Sequence, residues 1–116
     1  MQYLCLIFES EALAAQRDEK ANEALIDEYR KFTDDIDTSG HHIGGEALMP
    51  TETATTVRVR NGETITTDGP FAETKEQLGG YYLIEAASLD DAINIAAKIP
   101  SAKDGCVEVR PIMKFD

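Results

Sequence analysis

Two short runs, "YLCLIF" at residues 3–8 and "YYLI" at residues 81–84, are apolar at nearly every consecutive position. Side chains alternate across a strand, so each run presents apolar groups to both faces of its sheet. Both faces therefore need cover, which excludes an open sheet with water along one side.

The covers on one side are legible as helices. Residues 20–38 carry Ala21, Leu25, Tyr29, Phe32 and Ile36 at spacings of three and four, with charged residues between them, and this spacing predicts an amphipathic helix ending before Gly40. Ser88 followed by Asp91 resembles a capping box. It opens a second helix with Leu89, Ala92, Ile93, Ala96 and Ile99 as its buried stripe and Pro100 as its end. Residues 10–19 are compatible with a helical turn or with a loop.

The remaining strands are "HHIGGEALM" (41–49), "TATTVRVR" and "ETITTD" around Asn61-Gly62, and "CVEVRPIM" (106–113). Asn-Gly between alternating runs is a strong hairpin signal. A two-residue loop separates Val57 and Val59 from Ile65, whereas a three-residue loop of Arg60-Asn61-Gly62 puts all three on one face, and the second register is the expectation. The order is β-α-β, a hairpin, then β-α-β. That is an α+β, ferredoxin-like split βαβ plan with an inserted β-hairpin, in one domain spanning residues 1–116. Two helices cover only one sheet face, so a second copy of the chain, sheet to sheet, is the expected cover for the other. Such a homodimer leaves a cleft on each protomer.

Charge narrows the partners. Eleven Lys and Arg against 22 Asp and Glu leave a net charge of -11, which repels phosphate backbones and anionic lipid, so neither nucleic acid nor membrane is an expected partner. The N-terminal residues have no basic region, and no apolar run nears the ~20 residues of a membrane span, which points to a cytoplasmic protein. Cys5 and Cys106 lie in strand-like sequence and are expected as free, inert thiols.

The chemistry-bearing residues cluster around "TTDGPFAETKEQLGGYYLI", residues 66–84. Asp68 precedes Gly69 and Pro70, which restrict the following backbone. It is the candidate acid or base of a cleft, or else the acceptor of an Asx-turn. Phe71 is the expected apolar anchor of this loop. His41 and His42 are the candidate imidazoles, and because neighbours on a strand point to opposite faces they cannot share one metal. Glu46 shares a face with His42 if the strand is regular. Glu73 and Lys75 are candidate ligand-binding groups on a lid-like loop. Tyr81 and Tyr82 point to opposite faces, so one is core or interface and the other lines the cleft. No zinc spacing, nucleophile elbow or dinucleotide fingerprint occurs, and neither metal nor cofactor is expected.

"DGPFAETKEQLGGYYLIEAASLDDAINIAAKIP", "VEVRPI" and the upstream "GGEALMPTETATTVRVRNG" together resemble the DGPF branch of the YCII-related family, over Tyr3 to Phe115. The resemblance implies a small bacterial α+β domain of the dimeric α/β-barrel kind, usually a homodimer, with no established reaction. It also implies a functional pair made of a histidine from the first helix and an aspartate near the inserted loop. The aspartate carries over to Asp68, but the first helix here holds no histidine. Some DGPF proteins are encoded beside extracytoplasmic-function sigma factors. Two readings follow: a small-molecule enzyme or ligand-binding protein using Asp68, or a non-catalytic dimeric regulatory module in which the DGPF loop is a brace.

Overall fold

A computed structural model describes residues 1–115. Six strands and three α-helices follow one another as β1 (Gln2–Glu9), α1 (Glu11–Ala14), α2 (Glu19–Thr38), β2 (His42–Ala47), β3 (Thr55–Arg60), β4 (Glu63–Asp68), β5 (Gln77–Glu85), α3 (Leu89–Ala96) and β6 (Cys106–Pro111). The main sheet has the order β2-β5-β1-β6 and is antiparallel throughout. This is the mixed α+β, ferredoxin-like arrangement expected from the element order, with β3 and β4 forming a separate two-stranded sheet.

Each helix begins where a short polar side chain satisfies an otherwise unpaired backbone N–H. Asp18 accepts from Ala21 N at 2.8 Å, and Ser88 accepts from Asp91 N at 3.2 Å. The Asp91 carboxylate accepts in return from Ala87 N at 3.0 Å. Ser10 likewise starts the short α1, which settles the open stretch before the long helix as one helical turn and a connection.

α2 and α3 cover a single sheet face. Tyr3, Cys5 and Ile7 alternate as the buried residues of β1, and they pack with Phe32, Ile36, Ile84, Ala92, Ile95, Ala96 and Ile99 into one core. In α3 the buried set differs from the expected stripe: Ile95 turns inward while Leu89 and Ile93 are exposed. The capped first turn sets the helix's rotation, and a stripe of small alanines admits either neighbour by spacing alone. On α2, burial is confined to Phe32 and Ile36, with Leu25 and Tyr29 half-covered and Ala21 exposed.

The opposite sheet face carries Leu4, Leu6 and Phe8 of β1, with Leu4 opposite Leu83 and Leu6 opposite Tyr81. All are half-buried. No helix among the described residues covers this face, so the two-sided apolar character of β1 and β5 is met on one side only.

The hairpin corrects the expected register. Arg60 pairs with Glu63, Arg58 with Ile65 and Val57 with Thr66, so the loop is the two residues Asn61 and Gly62. Their φ angles of 52° and 78° are the positive pair that a type I′ turn needs, and its twist suits antiparallel strands better than a bulged loop. Val57 and Val59 consequently lie on one face and Ile65 on the other, and all three are exposed. A buried apolar face was the premise for the three-residue loop, and that burial is absent within the protomer.

Cys5 is fully enclosed and free, and burial pushes its thiol up to about 11 from 9.0. A thiol whose folded value lies above its unfolded one adds nothing to pH dependence below pH 9. From there to about 11, only the unfolded chain ionises and stability falls. The expected loss over that window is about 2–3 kcal/mol in urea denaturation, and a Cys5→Ala variant should lack this component. Equal alkaline slopes for the two proteins would remove the assignment.

Candidate functional site

The imidazole of His42 is placed by three local features. Gly40, at φ 81°, ends α2 and turns the chain back toward the sheet. An irregularity between His42 and Gly44 leaves Ile43 outside the ladder, so that His42 lies opposite Ile84 on the helix-covered face. The same shift puts Glu46 opposite Tyr81, on the other face from His42, which corrects the regular-strand expectation. Gly45 and Gly80 then let β2 and β5 approach closely: a Cβ on Gly45 lies 2.6 Å from the Tyr81 carbonyl oxygen.

His42 Nδ1 lies 2.7 Å from Asp37 Oδ1. An ionised carboxylate only accepts, so the imidazole donates from Nδ1, and the neutral ring held in this way carries its lone pair on Nε2. Its ring also meets Tyr82 edge-on, at 5.9 Å between centroids. Tyr82 in turn packs edge-on against Phe32 at 5.1 Å and shares a 2.8 Å hydrogen bond with the Thr33 hydroxyl. Farther along α2, the Tyr29 hydroxyl donates to Ser101 Oγ at 2.6 Å, and burial holds the Tyr29 phenol above its ordinary value.

His42, Tyr82, Thr33, Tyr29 and Ser101 border one cleft of about 430 Å³, between the middle of α2 and the β2–β5 edge, with Asp37 behind the imidazole. Its apolar wall includes Ile7, Leu25, Ala47 and Leu48, and its polar groups are His42, the two hydroxyl pairs, Tyr81 and Glu46, which reaches the rim from the strand edge. Glu9 sits on its border, held by Arg17 at 3.0 Å. The volume and the mixture of apolar wall with few polar groups suit a small molecule. A larger groove of about 610 Å³ runs between α2 and α3 and contains His41. There His41 Nδ1 is 2.7 Å from Ser39 Oγ and its Nε2 is 3.7 Å from Asp91, while Lys103 pairs with Glu28 at 3.1 Å. The smaller cleft is the better candidate because its imidazole is held by a carboxylate at 2.7 Å, against 3.7 Å for His41 and Asp91.

The expected site residues are thus dispersed. His42 and Tyr82 meet in the cleft, whereas His41 faces the α2–α3 groove. Tyr81 borders the cleft but stands opposite Leu6 on the other sheet face. Lys75 borders a shallow depression beside α1, and Glu73 is exposed. Asp68 ends β4, exposed, opposite Thr55. Among the described residues its carboxylate accepts no hydrogen bond; Gly69 N donates instead to the Ala54 carbonyl at 2.7 Å, and Thr56 donates to the Gly69 carbonyl at 2.8 Å. Phe71, the expected anchor, is 81% exposed. No cluster of three metal-ligating side chains occurs among the described residues.

Sequence reading passed over Asp37. The available signal was a carboxylate in the last turn of a helix, five residues before His42, across the Gly40 reversal. A sequence profile described as the YCII-related domain matches residues 1–116. An uncharacterized protein of Rhizobium meliloti (strain 1021) is 40% identical over 122 aligned positions, covering 99% of this chain and 94% of that protein.

Proposed function

This chain belongs to the YCII-related domain family, and we propose that it is a homodimeric protein that takes a small molecule into the α2/β2–β5 cleft, with His42 as its acid–base group. The observation that carries this reading is the 2.7 Å contact between His42 Nδ1 and Asp37, beside a cavity of suitable size. Asp37 selects the tautomer and steadies the positive charge when Nε2 takes a proton, which is what a general base needs. The two hydroxyl pairs offer donors and acceptors to a ligand whose remainder is apolar. Relative to the pair implied by the family resemblance, the roles are exchanged: the long helix supplies the carboxylate and a strand supplies the imidazole. Asp68 enters as a second acid–base candidate through the partner protomer. The half-exposed face of Leu4, Leu6, Phe8 and Leu83 supports the dimer, since isolated domains rarely leave a contiguous apolar sheet face open.

The exposed arm and Phe71 favour a second reading, a dimeric interaction or regulatory module without chemistry. Histidine ¹⁵N spectroscopy separates the two when combined with a fragment screen. His42 is expected to carry its proton on Nδ1, with Asp37→Asn moving the population toward the Nε2–H form. Fragments that shift Thr33 and Tyr82 amide signals are expected to lose affinity by about tenfold or more in His42→Gln. An Nε2–H tautomer in the unaltered protein, together with fragments indifferent to His42→Gln, overturns the acid–base reading.

A further inference from the structure

We propose that the β3–β4 hairpin is an intersubunit clasp, whose Val57, Val59, Thr64 and Thr66 face lies on a second copy of this chain. The inference rests on the homodimer read above and says what its inserted element does.

Among the described residues the hairpin pairs with no other strand. It forms its own sheet, every residue of β4 is exposed, and Val57 and Val59 are 59% and 60% exposed. The radius of gyration is 16.2 Å, whereas a compact chain of this length has about 13 Å, as expected of an arm standing away from its body. Its root is nevertheless braced. Gly69 N donates to the Ala54 carbonyl at 2.7 Å, Thr56 donates to the Gly69 carbonyl at 2.8 Å, and Glu11 accepts from Thr51 N at 2.9 Å and from the Thr51 hydroxyl. An isolated two-stranded hairpin is marginal in water, so a braced one with a β-branched face, charged only at its root by Asp68, is built to lie on something.

Area and charge point to a second copy. Four strands overlapping for about six residues give a sheet face of roughly 400 Å², about half of the ~800 Å² that each partner buries in a standard interface. One face of a two-stranded arm adds roughly 200 Å². In a two-fold dimer each protomer both gives an arm and receives one, which supplies the missing half. Residues 55–68 hold Arg58 and Arg60 against Glu63 and Asp68, so the arm is electrically neutral on a chain of net charge -11. A second acidic copy therefore repels it less than it repels the acidic body of the molecule. The apolar arm face and the apolar sheet face both need cover, and one symmetric association covers both.

The test is sedimentation velocity over a concentration series. Because Ala54 and Gly69 are hydrogen-bonded neighbours, residues 55–68 can be replaced by Asn-Gly without stretching the root. The unaltered chain is expected to be a dimer. The armless chain, and separately Val57→Lys with Val59→Lys, are expected to raise the dissociation constant by about 100-fold or more with unchanged far-UV circular dichroism. Arg58→Ala with Arg60→Ala, on the outward face, should leave it within about threefold. An armless chain that dimerises as tightly as the unaltered one overturns the clasp while leaving the dimer standing. Should the lysine pair dimerise normally, the assigned face is wrong even if the armless chain misfolds. A monomeric unaltered chain removes both the dimer and the clasp.

Discussion

Replacing Gly105 with alanine is expected to destabilise the domain by about 3 kcal/mol or more, the upper range for forcing an atom into packed structure. A Cβ at this position lies 2.1 Å from the Phe8 carbonyl oxygen and 3.1 Å from the Glu9 Cα, both backbone atoms that no side-chain rotation can move. Gly105 N also donates to the Ser101 carbonyl at 2.8 Å, which ties the entry to β6 to the short turn carrying a cleft hydroxyl. A domain of this size has roughly 5–15 kcal/mol in total, so the variant should show a large fall in the urea midpoint, if it folds at all. A change under about 1 kcal/mol would mean that the end of β1 yields freely, and with it the Glu9–Arg17 border of the cleft.

Ile84→Ala is expected to cost about 4 kcal/mol, near the top of the range for such truncations, because Ile84 is fully enclosed and its neighbours come from both layers. The functional consequence follows from register. Tyr3, Ile84 and His42 stand in one row across β1, β5 and β2, so the cavity opens directly beside the imidazole. Ile84→Val should lose only about 1 kcal/mol and keep the His42 tautomer, while Ile84→Ala should broaden or shift the His42 ¹⁵N signals as the ring gains room. Denaturation curves for both variants, with the imidazole spectra beside them, test packing and site together.

Sequence reading succeeded where a local pattern answers to a local cause. The periodicity of α2, the Ser88 cap and the Asn61-Gly62 reversal are all recovered within a residue or two. It went astray where an unseen surface was needed. The three-residue loop was chosen to gather Val57, Val59 and Ile65 toward a core that the protomer does not provide, and turn twist prevailed over side-chain grouping. Ile93 and Ile95 differ by two residues on α3, and only packing against β1 and β6 decides which is buried. Glu46 changed faces through a single irregular residue, Ile43.

Taken alone, the amino-acid order determined the element sequence, the two-layer α+β plan and the presence of one sheet face that its own helices cannot reach, because these depend on alternation, helical period and caps within a few residues of each other. Tertiary structure alone decided that Asp37 faces His42, that Tyr82 rather than Tyr81 stacks against that imidazole, and that Asp68 stands on an arm away from the body. Each of those pairings depends on strand register and on the angle at which α2 crosses the sheet, and a one-residue slip in either sends the same side chain to the opposite face.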